Sequence, residues 1–245
     1  MIESFANSSG QVRPRQQPRL HAVVFTEDQK SSKTYLEQCL LRTDGSVHLQ
    51  VVGKGKHTVE LVEDALTRLP GLEKNLANQL ERAAKFSSAK GKKSLKKKQK
   101  ARRVRFDQVW AVFDKDDFTD FDDAVKLSLK HGFCEGWSNE CFELWYYLYT
   151  KAANDRQPIP RDDIFNYLTV HYGLQMRFRK HYRKLKGDAG LVFHSEMAKD
   201  DAGMENAYKR ALALASSGYL KGKVPSARNP QTQFHRLMKL LSPGL

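Results

Sequence analysis

Three aspartates follow a strongly apolar segment. Residues 109–113 read Val-Trp-Ala-Val-Phe, and an unbroken apolar run with β-branched and aromatic members is typical of a strand buried on both faces. Asp114, Asp116 and Asp117 come directly after it. Carboxylates this close repel one another unless a positive charge lies between them, and an Asp-x-Asp pair offers oxygen ligands suited to Mg²⁺. The alternative interpretation is an acidic turn ahead of a helix that begins at Thr119.

A second acidic strand end lies near the N-terminus. Residues 19–25 form another mostly apolar run, and Glu27 and Asp28 follow it. Ligands of open α/β sheets bind at the carboxyl ends of the strands, and these ends lie at one edge when the strands are parallel. We therefore expect Glu27, Asp114 and Asp116 to converge on one Mg²⁺ or Mn²⁺ ion, with Asp28 and Asp117 as candidate supporting acids.

The elements around these acids alternate, which favours βαβ units and a parallel sheet. The pattern predicts a helix over 32–41, a strand over 47–52, a helix from 59 that Pro70 and Gly71 break or kink, a helix over 119–130, a short strand over 133–137 and a helix over 140–151. From residue 154 it changes to helices and loops, with a long helix over 196–216 and a last helix over 232–241. These patterns divide the chain into a flexible tail (1–18), an α/β domain (19–151) with a basic insertion at about 82–105, and a helical C-terminal region (152–245).

The positive charge of the chain is concentrated in one block. The net charge is +14, and twelve lysines and arginines lie between residues 82 and 105 without an intervening acid, so about +2 remains for the rest. A second basic cluster at 177–186 has aromatic residues between its cations. Dense positive charge typically binds phosphates through counterion release, although a solvated loop is the alternative. The predicted nucleic-acid contacts are Lys92, Lys93, Lys96, Lys97, Lys98, Lys100, Arg102, Arg103, Arg177 and Arg179.

Several other classes of protein do not fit this sequence. The chain lacks an apolar stretch of about 20 residues and its first 18 residues lack a secretory apolar centre, so we expect a cytoplasmic protein without membrane contact. Three cysteines without Cys-x-x-Cys spacing argue against a disulfide scaffold and a zinc knuckle. The glycines at 53–55 lack the spacing of a nucleotide-binding P-loop.

The order of the acidic motifs resembles a known domain and, more narrowly, a known family. Glu followed much later by Asp-x-Asp, each after an apolar strand, resembles the TOPRIM domain of topoisomerases, primases and certain nucleases. Three further motifs are Glu27 and Tyr35 of the first turn and helix, the block Ser138-Asn139-Glu140-Cys141-Phe142-Glu143-Leu144-Trp145, and Asn229-Pro230-Gln231-Thr232 before the last helix. In these motifs the chain resembles the RloB family of bacterial proteins associated with restriction and phage defence. Asp28 stands where that family has Gly, and Glu140 where it has Pro.

The resemblance implies a TOPRIM-like (Rossmann-like) parallel sheet with helices on both faces, followed by the helical C-terminal region. It further implies a Mg²⁺-dependent nuclease of bacterial defence, acting on DNA or RNA (tRNA among the candidates), with an ATPase partner encoded alongside. In that activity Asp114 and Asp116 would hold the metal, and Glu27 would be a general base or acid or a further ligand. Glu143 is a candidate supporting acid, although stabilisation of its helix start is the favoured role.

Two alternatives remain open. One is a catalytically inactive TOPRIM-like module that binds nucleic acid or a protein partner of a defence complex. The departures at Asp28, Ser32 and Glu140 leave it open, whereas the intact acids Glu27, Asp114 and Asp116 argue against it. The other is a phosphatase of the haloacid-dehalogenase class, with Asp114 as nucleophile and Asp116 as acid. That class normally begins with this strand and has a small β-branched residue where Phe118 stands here, so it ranks behind.

Overall fold

A four-stranded parallel sheet forms the centre of the protein. The computed structural model describes residues 20–43, 45–53, 55–88, 104–185, 187–242 and 244–245. The sheet consists of β1 (Leu20–Thr26), β2 (Val47–Gly53), β3 (Gln108–Val112) and β4 (Cys134–Glu135), in the order β2-β1-β3-β4. Val24 of the central strand β1 pairs with Val51 on one side and with Trp110 on the other. The predicted parallel α/β sheet is confirmed, and the TOPRIM-like expectation fits it.

Helices cover both faces of this sheet, as predicted. The connecting helices are α1 (Ser31–Leu40), α2 (Thr58–Ser88) and α3 (Phe121–Lys130). Successive residues of a strand point to opposite faces, and β1 follows this rule: Ala22 and Val24 lie in the core shared with α1, whereas Val23 and Phe25 lie in the core shared with α2 and α3. Burial on both faces explains the continuous apolar runs at 22–25 of β1 and 109–112 of β3.

The C-terminal helices pack on the α1 side of the sheet. They are α4 (Leu144–Thr150), α5 (Arg161–His171), α6 (Leu174–Phe178), α7 (Gly187–Lys199), α8 (Asp201–Ser216), α9 (Gly218–Lys221) and α10 (Phe234–Leu241), with 3₁₀ turns at Tyr182–Lys184 and Pro225–Ala227. Strands β5 (Ser138–Asn139) and β6 (Gln231–Thr232) pair antiparallel. α4 is buried against α8, and α7 packs on α1, so the helical region shares one core with the sheet. None of the described helices is both long and apolar enough to span a membrane.

The structure corrects three predicted elements. α2 continues through Pro70 without a break. The predicted helix over 196–216 is two helices, because the Asp200 side chain accepts a hydrogen bond from Gly203 N (2.9 Å) and caps a new helix there. The helix predicted from residue 140 begins at Leu144, since Ser138 and Asn139 are paired with β6. The tail at 1–18 and the basic residues 90–103 lie outside the described residues.

Candidate active site at the carboxyl edge of the sheet

The structure brings Glu27 and Asp114 together. Glu27 follows β1 and its backbone N–H donates to Val112 O (3.0 Å), which continues the pairing of β1 with β3. Its side-chain Oε2 accepts a hydrogen bond from the backbone N–H of Asp114 (3.1 Å). The meeting was predicted from the sequence because parallel neighbours end at the same edge of a sheet.

The Asp114 carboxyl lies in an environment that disfavours its charge. Burial raises the pKa of Asp114 well above its usual range, and the charges of Glu27, Asp116 and Glu143 raise it further. A backbone hydrogen bond from Phe142 opposes this increase in the Asp114 pKa. A carboxyl that is destabilised by burial and by like charges gains from a cation, which relieves both effects.

Asp116 occupies an unusual backbone conformation next to a cation. Its φ of +40° lies in the left-handed region that residues with a side chain rarely adopt. Its backbone N–H donates to Glu140 O (3.0 Å), and its carboxylate forms an ion pair with Arg161. Burial raises the pKa of Asp116 to about 6, with Glu27 and Asp117 adding to the effect and Arg161 opposing it. Backbone strain of this kind is concentrated at functional sites.

His57 completes the side-chain contacts of Glu27. His57 Nδ1 lies 2.6 Å from Glu27 Oε1, and the imidazole stacks on Phe118 with ring centroids 4.7 Å apart. Sequence reasoning missed this residue. Its signal was available, since His57 stands between the end of β2 and the start of α2, at the carboxyl end of a third strand of the same parallel sheet.

The carboxylates fit a divalent cation in chemistry but do not surround a common point. Within the described ranges, no three His, Cys, Asp or Glu side chains are arranged to hold a metal ion. The contacts explain why: His57 and the Asp114 N–H engage the two oxygens of Glu27, and Asp116 faces Arg161. The donor set itself, three half-buried carboxylates, suits Mg²⁺ or Mn²⁺. Arg161 faces Oδ1 of Asp116, so the second oxygen of that carboxylate is the one a cation can take without displacing Arg161.

Comparison with known proteins identifies the family. The family model for RloB-like proteins matches residues 22–241, nearly the whole chain. The chain belongs to the RloB-like family. Neither a curated protein nor a solved structure matches it. The resemblance inferred from the short motifs is thereby confirmed.

The residues that carry the RloB-like resemblance contact one another in the structure. Tyr35 OH accepts a hydrogen bond from Trp145 Nε1 (2.9 Å) and lies 2.7 Å from Tyr149 OH. Ser138 Oγ lies 2.8 Å from Thr232 Oγ1. Motifs that are far apart in the chain therefore form one buried frame behind the acidic edge.

The supporting acids of this RloB-like chain have different roles. Asp28 caps α1: its Oδ2 accepts hydrogen bonds from the backbone N–H (3.0 Å) and hydroxyl (2.9 Å) of Ser32. Asp117 is exposed. Glu143 precedes α4 without a side-chain capping bond; it is buried and accepts a hydrogen bond from Tyr182 OH (3.1 Å). Burial raises the pKa of Glu143 to about 7, which Asp28 reinforces and hydrogen bonds oppose.

The predicted nucleic-acid residues are only partly described. Lys92, Lys93, Lys96, Lys97, Lys98, Lys100, Arg102 and Arg103 lie outside the described residues. Arg177 and Arg179 are exposed, and Arg177 donates to both carboxylate oxygens of Glu196 (2.8 and 2.7 Å). An exposed pair of this kind contributes little to stability, so Arg177 stays a candidate for phosphate contact.

Proposed function

We propose that this RloB-like protein is a metal-dependent nuclease that cleaves phosphodiester bonds of DNA or RNA. The observation that carries the proposal is the hydrogen bond between Glu27 and Asp114 at the carboxyl edge of a parallel sheet. Asp116 is close enough to raise the pKa of the Asp114 carboxyl, although burial and Glu27 raise it more. Half-buried acids that repel one another destabilise the fold, and a catalytic cation would supply a physical reason to hold them there.

The proposed roles follow from the contacts. Asp114 and Asp116 would hold Mg²⁺ or Mn²⁺, with Glu27 as a further ligand or as the proton-transfer group. The chemistry that such an ion supplies is polarisation of the scissile phosphate and stabilisation of charge on its oxygen. Glu27 is suited to proton transfer because the Asp114 N–H and His57 fix its carboxylate from two sides. The basic block at 82–105 would offset the repulsion between these acids and the phosphates of the substrate.

Family membership and charge support the proposed setting. RloB-like proteins are expected in bacterial anti-phage defence, and an ATPase partner from the same operon would supply ATP hydrolysis, for which this sequence has no P-loop. A cytoplasmic location and a nucleic-acid substrate, tRNA among the candidates, belong to the same proposal.

One observation favours the second candidate, an inactive module that binds nucleic acid or a partner. Arg161 already forms an ion pair with Asp116, which reduces the need of that carboxylate for a metal ion. The two candidates differ in one measurable property, which is cleavage in the presence of a divalent cation.

We expect the purified protein to cut plasmid, single-stranded DNA or tRNA with Mg²⁺ and not with EDTA. Glu27→Gln, Asp114→Asn and Asp116→Asn should each abolish cleavage and leave nucleic-acid affinity largely intact, because the acids act on the reaction and the basic residues on affinity. Mn²⁺ should raise the melting temperature of the native protein more than that of Asp114→Asn.

Asp123→Asn provides the matched control, since Asp123 is an exposed residue of α3 that pairs with Lys126. It should cut like the native protein. If the three acidic variants also cut like the native protein, the site is only an acidic turn. If the native protein binds nucleic acid tightly and cuts none of the three substrates with either cation, the binding module is the better description.

A further inference from the structure

Arg161 is a cation at the acidic edge that sequence reasoning did not select. It is the first residue of α5, after Pro158-Ile159-Pro160, and its side chain is 29% exposed. The guanidinium forms its ion pair with Asp116. Burial alone would lower the pKa of Arg161, and the charges of Asp116 and Asp114 raise it. Arg161 therefore lies in the electrostatic field of two of the three proposed catalytic acids.

The backbone holds Arg161 at this place independently of the ion pair. Ile159 N donates to Asn229 Oδ1 (3.0 Å), and Asn229 Nδ2 donates to Glu140 Oε1 (3.0 Å). Glu140 O in turn accepts the backbone N–H of Asp116 (3.0 Å). The segment before α5 and the Asp116 turn are thus fixed to the same residue, so Arg161 stays beside the site when its contact with Asp116 is broken.

The Arg161–Asp116 contact leaves hydrogen-bonding capacity unused. Asp116 Oδ1 is buried and receives no hydrogen bond, although it is the oxygen that faces the guanidinium. The ion pair involves one guanidinium nitrogen, Nη2. A guanidinium presents five N–H donors in a planar fork that matches two oxygens of a phosphate. The donors on Nε and Nη1 of Arg161 are therefore not engaged by Asp116.

A divalent ion bound to Asp116 would compete with Arg161 for the negative charge of that carboxylate. The backbone of Arg161 would remain at the site, and its guanidinium donors would be available to a substrate phosphate. Resting on the proposed nuclease function, we propose that Arg161 is the phosphate-binding residue of the site, held by Asp116 in the substrate-free protein and donating to the non-bridging oxygens of the scissile phosphodiester. It would stabilise the charge that grows on those oxygens during cleavage.

Arg161→Gln tests this role, because it removes the charge and the guanidinium donors and leaves a shorter, polar side chain. Cleavage at saturating Mg²⁺ should fall by about 10²- to 10³-fold, the usual loss for a donor that stabilises transition-state charge. Affinity for a labelled single-stranded oligonucleotide, measured in Ca²⁺ with DNA and RNA versions, should fall about tenfold or more, since a hydrogen bond to a charged group is lost. The apo protein should bind Mn²⁺ at least as tightly as the native protein, because Asp116 is freed.

Arg68→Gln is the matched control: Arg68 is also a half-exposed arginine paired with an aspartate, Asp64, but it lies within α2. It should change cleavage and Mn²⁺ affinity little. Arg161→Lys keeps the charge and the pairing with Asp116 but loses the planar fork, so a cleavage loss of about tenfold is expected. This variant decides the matter if Arg161→Gln does not fold.

Native-like cleavage and oligonucleotide affinity in Arg161→Gln, with tighter Mn²⁺ binding, would overturn the proposal and leave Arg161 as the counter-ion of Asp116. Native-like cleavage in Arg161→Lys would overturn the bidentate contact. If the native protein cuts none of the substrates, the proposed nuclease function is wrong, but the oligonucleotide affinity of Arg161→Gln still tests the role of Arg161. A lower affinity than that of the native protein supports phosphate binding by Arg161, and an unchanged affinity refutes it.

Discussion

The buried Glu143 should make the stability of the apo protein depend on pH. Glu143 is 9% exposed, and burial raises the pKa of its carboxyl from an ordinary value of 4.5 to about 7. At 1.36 kcal/mol per pKa unit this corresponds to about 3 kcal/mol. Below pH 4.5 the carboxyl is protonated in the folded and unfolded states and carries no penalty. Above pH 7 it is charged in both states, so the folded state bears the whole penalty, and the free energy of unfolding falls as pH rises from 4.5 to 7.

Replacement of Glu143 by Gln should remove this dependence. The Gln oxygen can still accept the Tyr182 hydroxyl, but the side chain does not titrate. Its new N–H donors cost free energy of their own if they lack acceptors, so the informative quantity is the change with pH and not the stability at one pH. The difference in unfolding free energy between pH 5 and pH 8 should be smaller in Glu143→Gln than in the native protein by up to about 3 kcal/mol.

Urea unfolding in EDTA at the two pH values measures this difference. Glu196→Gln is the control, since Glu196 is exposed and paired with Arg177, and it should keep the native pH dependence. Asp116, whose pKa is raised to about 6 by burial, contributes a slope of the same sign in every variant and should remain visible. If Glu143→Gln and the native protein lose the same free energy between pH 5 and pH 8, the carboxyl is not destabilised by burial.

The two basic regions give further expectations. Replacing Lys92, Lys93, Lys96, Lys97 and Lys98 by Gln should weaken nucleic-acid binding and flatten its dependence on salt, because fewer counterions are released, while the melting temperature barely changes; an unchanged salt slope would mean that the block is a solvated loop or a protein-docking arm. Arg177→Ala with Arg179→Ala should reduce binding or cleavage and cost less than about 1 kcal/mol of stability, since the Arg177–Glu196 pair is exposed. A large drop in melting temperature would instead show a structural role for these arginines.

The part of the site that the sequence predicts is the part that local pattern determines. An apolar run fixes β1 and β3, the parallel arrangement places their ends at one edge, and Glu27 and Asp114 meet there as expected. Asp116 is expected near the same edge because it lies two residues after Asp114 in the chain. No long-range contact has to be known for this inference.

The missing part depends on contacts between distant segments. Arg161 lies beside Asp116 because β6 pairs with β5, and Asn229, just before β6, hydrogen-bonds both Ile159 and Glu140. The spacing of apolar residues along the sequence does not predict these contacts. The contact of Tyr182 with Glu143 is of the same kind: Tyr182 belongs to a 3₁₀ turn of the C-terminal region, and its hydroxyl donates a hydrogen bond to the buried Glu143. The broken helix at Asp200 was missed for a local reason: one capping aspartate outweighed an otherwise continuous helical pattern.

Asp28, Ser32 and Glu140 depart from the family pattern, and each of them makes contacts that stabilise the acidic edge. Asp28, in place of Gly, caps α1 through Ser32, and its carbonyl oxygen would lie 2.6 Å from a Cβ at Gly53, so the turn remains tightly packed against the end of β2. Ser32, another departure, is the residue that this cap binds.

Glu140, in place of Pro, binds Asn229 through its side chain and Asp116 through its backbone oxygen. The substitutions therefore maintain the frame that positions Asp116 and Arg161, and they do not remove a carboxylate from the edge. A site that had lost its chemistry would have no reason to keep Asp114 and Asp116 with raised pKa values, since burial of such charges only destabilises the fold. The departures thus carry little weight for the inactive module, and the case for it depends on whether Asp116 binds a cation in the presence of Arg161.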